Sequence, residues 1–318
     1  MLTWVGRQGA RAIAALVIIG IALPWLGALL RPFVAEAIFV LLCISFLRVD
    51  AEALRGYIRR PGIVIGATAW TSIAVPMMVG VGCISIGLDK SSPDLHLALM
   101  LQAIASPMMA APALAALMGL DATLVLATLV ASTALIPFTA AVFAEIFIGP
   151  ALVLSSLTLG LKLFGMLTGS ALVGLLVRRA VGTVAIERHK ERINGFNILV
   201  LFVFVSAVME SVGPRFLADP LFAAGMTVLV FVMFFLVLGL TYLVFGYAGR
   251  ERAIALAFMA SQRNTGLMIA AVSVVPEITW LYIGLAQFPI YFSPQLLGPL
   301  VRRALNPVNP SRTYKDAP

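Results

Sequence analysis

Ser261-Gln262-Arg263-Asn264-Thr265-Gly266 is the stretch on which the reading of this chain turns. It is a run of polar or small residues lying between two apolar runs, Ala253–Ala260 and Leu267–Val275. A cation that deep in an apolar segment cannot snorkel to an interface, so it is costly there and marks a functional position. The plainer alternative is a structural ion pair, for which Glu36, Glu210 and Glu277 are the available carboxylates. Earlier in the chain, Ser106-Pro107-Met108-Met109-Ala110-Ala111-Pro112 interrupts another apolar segment with two prolines. Each proline removes a backbone donor and crowds the preceding turn. The pair predicts an unwound stretch rather than a single kink. Backbone groups freed at membrane depth survive only against protein or a water-filled cavity.

The rest of the composition supplies that membrane. The 318 residues are 61% hydrophobic and 11% charged, with mean hydropathy +1.05. A soluble domain carries about 25% charged residues, so this chain needs lipid as its second solvent. The net charge of +8 does not imply a nucleic acid. The basic residues sit in short runs between apolar segments (Arg48, Arg55, Arg59 and Arg60; Arg178, Arg179, Arg188, Lys190 and Arg192) with a single interleaved aromatic, Tyr57. Cys43 and Cys83 fall in separate apolar segments, and His96 and His189 are far apart, so neither a disulfide nor a metal site is expected. Nucleotide-binding and metalloprotease motifs are absent, and no enzymatic activity or cofactor is expected.

Apolar segments fall at 11–30, 33–47, 61–86, 94–118, 121–144, 152–177, 194–213, 221–247, 253–274 and 277–300. This predicts an all-α integral membrane protein of about ten transmembrane helices, the fourth and ninth broken. The first segment, with Arg7 and Arg11 ahead of it, is read as a span and not as a cleaved signal peptide. Alternate loops counted from the N-terminus hold 17 of the Lys and Arg residues, and the other side holds 3. Both termini are therefore expected in the cytoplasm, in a multi-pass protein of the inner (plasma) membrane. Segments 2 to 5 recur as 7 to 10: Phe33 aligns with Asn194, Pro61 with Leu221, Ser106 with Ser261, Asp121 with Glu277 and Pro137 with Pro294. Five spans per unit implies two inverted five-helix repeats, 1–147 and 148–303, followed by a polar cytoplasmic tail, 304–318. Inverted repeats of this kind belong to secondary transporters, with the site at the repeat interface.

Arg263 and Lys162 are the two intramembrane cations, and they point to an anionic ligand. A guanidinium suits carboxylate, sulfonate or phosphate. Lys162 is open to either a functional or a structural reading. Ser106, Gln102, Ser261, Gln262, Asn264 and Thr265 are candidate polar contacts, Met108 and Met109 an apolar wall, and Pro107, Pro112 and Gly266 the helix breakers. Thr128 and Ser132 are residual ion-site candidates. Half-helix N-termini near Ala111 and Thr265 would add positive dipole ends.

On these residues the chain resembles the bile acid:sodium symporter family. The family's fourth helix carries a Ser/Cys-Pro-Gly-Gly-type break, similar to Ser106-Pro107-Met108-Met109. Its ninth carries Gln-Asn-Ser-Gly-Leu, similar to Arg263-Asn264-Thr265-Gly266-Leu267. The resemblance implies ten spans, crossed broken helices and small organic anions as substrates. Its sodium ligands, a Ser-Asn pair, a Glu and a Gln, align with Pro112, Ala113, Met259 and Arg263. Most are therefore replaced, and the charge of Arg263 stands where sodium would be. Coupling to protons, or none, follows from that comparison. The alternatives are an efflux permease or exchanger of the same fold, or a non-transporting membrane sensor or anchor subunit.

Overall fold

The structure, a computed structural model, describes residues 10–48, 61–149, 152, 154–272 and 274–305, with the backbone alone for 10–14. Arg7, Arg55, Arg59, Arg60 and the tail from 306 lie outside the described residues. Among the described residues the chain is helical, without a named strand. Six helices are long and apolar enough to cross a membrane: Pro24–Leu47 (α2), Pro61–Ser85 (α3), Ala122–Ile148 (α6), Ser156–Val181 (α7), Lys190–Ala218 (α8) and Pro220–Ala248 (α9). The remaining elements are Ala10–Ala22 (α1), Pro93–Ile104 (α4), Ala111–Leu117 (α5), Arg250–Ser261 (α10), Thr265–Val272 (α11) and Glu277–Leu305 (α12), with two short helical turns at Leu88–Ser91 and Thr183–Arg188.

Helix starts follow local chemistry. Asp121 Oδ1 accepts from Leu124 N–H at 2.9 Å ahead of α6, and Ser155 Oγ from Thr158 N–H at 3.2 Å ahead of α7. Asp219 Oδ1 does the same for Phe222 N–H at 3.1 Å, with Pro220 in the first turn of α9. These caps satisfy amide donors that a helix start leaves free.

One boundary differs from the sequence expectation, that of the first segment. Segment 11–30 is broken at Leu23 (φ −123°, ψ 68°), before Pro24. Its second half belongs to α2, which lengthens the short 33–47 segment to a 24-residue span. Proline removes the amide that would have carried the helix through. Both sides of the break rest on the middle of α8: Gly20 lies against Ser206 and Met209, and Gly27 against Ser206 and Glu210. Segments 94–118 and 253–274 are each two half-helices, α4 with α5 and α10 with α11.

The helices sort by what they face. α9 has a hydropathy of 2.8, yet only 22% of its apolar window is buried. Val228, Val232 and Leu243 lie exposed along it. An apolar surface of that extent needs lipid against it. α8, α10, α11 and α12 supply the interior instead, with Val205, Met209, Phe258, Met259, Met268, Leu281 and Tyr282 almost wholly buried. Small residues bring helices close. A Cβ on Gly160 of α7 would stand 2.7 Å from Pro137 O of α6, and one on Gly284 of α12 would collide with Val208 O of α8. Backbone approach through glycine is how helices associate where lipid competes with side chains.

Candidate functional site

The two breaks meet. α4 stops at Ile104, because Ala105 turns extended (φ −63°, ψ 149°), and the chain stays non-helical until Ala111. α10 stops at Ser261 and α11 starts at Thr265. Pro107 and Arg263 form an antiparallel bridge. Met108 N–H donates to Gln262 O at 2.7 Å and Asn264 N–H donates to Ser106 O at 2.8 Å. Each break thus satisfies backbone groups that the other's unwinding had freed, which is what non-helical backbone at this depth requires.

Pro107 sits in the unwound segment, but Pro112 does not. It lies in the first turn of α5, where a missing N–H costs nothing. Gly266 is not a breaker either. It lies within α11, where a Cβ would stand 2.6 Å from Ile38 Cδ1 and 2.9 Å from Phe204. Its role is the close approach of α11 to α2 and α8.

Arg263 is 3% exposed. Its Nη1 donates to Thr71 O at 3.1 Å and to Ala105 O at 2.9 Å. The first carbonyl is free because α3 carries a π-helical turn at Trp70–Ala74, in which Val75 N–H reaches back to Trp70 O instead of Thr71 O. The residue after Val75 is Pro76, which has no N–H to offer. The second carbonyl lies just past the end of α4. The alternative, an ion pair with Glu36, Glu210 or Glu277, is not formed: among the described residues Arg263 pairs with carbonyls, and Glu210 pairs with Arg31 at 3.4 Å. Nε and Nη2 of Arg263 are buried without hydrogen-bond partners. These two donors form the parallel edge of the guanidinium.

A cavity of about 510 Å³ lies against the crossing. Its wall includes Arg263, Asn264, Thr265, Met108, Met109, Pro112 and Gly266, so these sequence candidates come together. Asn264 is half-buried; its Oδ1 accepts from Leu267 N–H at 3.2 Å, leaving the amide nitrogen as what it offers the cavity. Thr265 Oγ1 accepts from Gln287 Nε2 at 3.1 Å.

The other candidates lie elsewhere. Gln262 is fully buried and donates to Ser293 Oγ at 2.7 Å, while Ser261 bonds its own helix at Phe258 O. Ser106 contributes its carbonyl to the crossing, and its hydroxyl is buried away from the cavity. Gln102 accepts from the Tyr282 hydroxyl, tying α4 to α12. Ser132 Oγ and Thr71 Oγ1 bond at 3.1 Å, and Thr128 lies fully buried on the same helix as Ser132, outside the cavity wall. Lys162 is exposed on α7, outside the cavity. Apolar flanks on all sides make such a residue look intramembrane, but a lipid-facing helix gives no periodic signal for which side it presents.

Several wall residues were not singled out by the sequence. Arg48 ends α2, Ser45 precedes it by about a turn, and Asn194 and Asn197 share a face near the start of α8. Gln287 and Tyr291 come from α12. The asparagines stand where a span meets its loop, and the legible signal is their i, i+3 spacing alone. Arg48, Asn194 and Leu117 are all near helix ends, so the cavity runs from the crossing toward the side where α2 ends and α8 begins. At the opposite end the bundle is tied shut. Arg31 pairs with Glu210 and lies 4.3 Å over the Trp280 ring, and Thr279 donates to Asp94 O at 2.7 Å.

No family model matches this chain, and none of the curated proteins compared with it matches.

Proposed function

We propose that the chain is a secondary transporter that moves small organic anions by alternating access, with substrate held in the cavity beside the crossed breaks. The observation that carries this is the reciprocal pairing of the breaks, Met108 to Gln262 and Asn264 to Ser106, at the end of that cavity. Discontinuous helices that meet at the midplane are where such proteins bind substrate and hinge. The element order supports two inverted repeats. α2, α3, the broken pair α4–α5 and α6 are followed by α8, α9, the broken pair α10–α11 and α12. It supports in turn the reading of the chain as a divergent member of the bile acid:sodium symporter family. With the basic loops in the cytoplasm of a plasma (inner) membrane, the cavity faces inward.

Arg263 serves this site from within its wall. α4 and α10 both end at the crossing, and their last carbonyls make it electronegative. Unwound carbonyls of this kind hold a coupling cation in other transporters. Here a guanidinium takes two of the carbonyls at this place, Thr71 O on α3 and Ala105 O at the end of α4. A cation fixed to the backbone cannot be carried across, so transport runs without sodium, coupled to protons or uncoupled. Uptake of labelled carboxylates and sulfonates into proteoliposomes tests both parts. Equal uptake with and without a sodium gradient is expected. Strictly sodium-driven uptake would sink the fixed-cation reading, and no uptake of any organic anion would sink the transporter.

A further inference from the structure

Resting on that reading, the geometry points to Arg48 at the cavity mouth, and not Arg263, as the residue that meets the substrate's anionic group. We infer a ligand about 15 Å long, with its charge at Arg48, Asn194 and Asn197, an apolar body, and a neutral hydrogen-bonding tip at Asn264.

The argument begins with access. A carboxylate must reach N–H groups to be bound, and although Arg263 lines the cavity its free donors, Nε and Nη2, are themselves buried. The remaining pair of donors is spent on Thr71 O and Ala105 O. Arg48 also lines the cavity, and it is exposed. Asn194 lies ten residues from Phe204, as Arg48 does from Ile38, and Phe204 and Ile38 both meet Gly266. With Asn197 it puts two amides about one helical turn apart in the wall of the same cavity. An arginine with two flanking amide donors is a carboxylate site in which charge-assisted bonds do most of the work. The water-reachable mouth also spares the anion the full cost of desolvation.

The spacing then sets the ligand's shape. Ile38 of α2 touches the start of α11 at Gly266, and Arg48 follows it on the same helix. Ten residues of helix separate crossing from mouth by about 15 Å. Between them the wall is apolar, with Leu41, Leu42, Ile198 and Leu201. At the crossing end Asn264 presents its amide nitrogen, with its oxygen occupied as a cap. A hydroxyl or carbonyl suits that neutral group.

Binding of 10-hydroxydecanoate, decanoate and 1,10-decanediol to the purified full-length protein in neutral-lipid nanodiscs tests this directly. The wild type should bind the acids more tightly than the diol, and the hydroxy acid more tightly than decanoate. Arg48→Gln should lose about tenfold in affinity for both acids, the size of one charged hydrogen bond, with no change for the diol. Arg48→Lys should keep the preference for acids. Asn264→Leu should erase only the advantage of the terminal hydroxyl. If the wild type prefers acids and Arg48→Gln prefers them equally, Arg48 is not the anion contact and the transporter reading survives. If the wild type does not separate acid from diol, both readings fail.

Discussion

The two breaks reach the same crossing by opposite means. The first, Ala105–Ala110, contains a proline and two methionines, and its hydrogen bonds across the crossing go through the backbone. The second has only Gln262, Arg263 and Asn264 outside helices, and all three side chains are engaged in hydrogen bonds to named partners. One break is opened by a residue that cannot donate. The other is opened by residues that find better partners than their own helix. The first should therefore depend little on any single side chain, and the second should depend on each.

Removing Arg263 breaks that contrast hardest. Arg263→Ala leaves Thr71 O and Ala105 O without their charged donor and should cost about 2–4 kcal/mol. Thermal unfolding of the purified protein would show it, and uptake should be lost with it. Gly266→Ala comes next, because its Cβ meets Ile38 and Phe204 well inside contact distance. Overpacking of this kind costs about 1–3 kcal/mol, and Ile38→Val on the same background should recover part of the melting temperature. Gln262→Leu should cost about 1 kcal/mol, the scale of its bond to Ser293. Pro112→Ala should do almost nothing, since a first-turn proline is tolerated and not required. A Pro112→Ala protein that melted as early as Gln262→Leu would overturn the contrast drawn here.

The breaks were legible in the sequence because both carry explicit signals, prolines in one and a cation in an apolar run in the other. Their widths were not. Pro112 reads as a breaker until it is seen to start a helix, and Ser261 and Thr265 read as unwound although each belongs to a half-helix. Spans bathed in lipid lose the amphipathic stripe that tells inside from outside in a soluble helix. Lys162 therefore reads as intramembrane from its neighbours, while Arg48 reads only as one of a basic run and Asn194 and Asn197 carry no signal beyond their spacing. The partners of Arg263 were out of reach for a different reason. Backbone carbonyls have no letter in a sequence, and carboxylates were the only partners that could be named.

The π-helical turn at Trp70–Ala74 has a genetic consequence. A helix that reaches back five residues instead of four holds one residue more than its path needs. Deleting Ala74 would let the helix close normally and turn Pro61–Ala69 by about 100° against the rest. Trp70, whose Nε1 now donates to Thr241 at 2.8 Å, would swing away from α9. Thr71 O would still find no partner in its own helix, because the residue four along would be Pro76. The same rotation would carry it out of line, and a mutation of three nucleotides far along the chain from Arg263 would displace one of its two anchors.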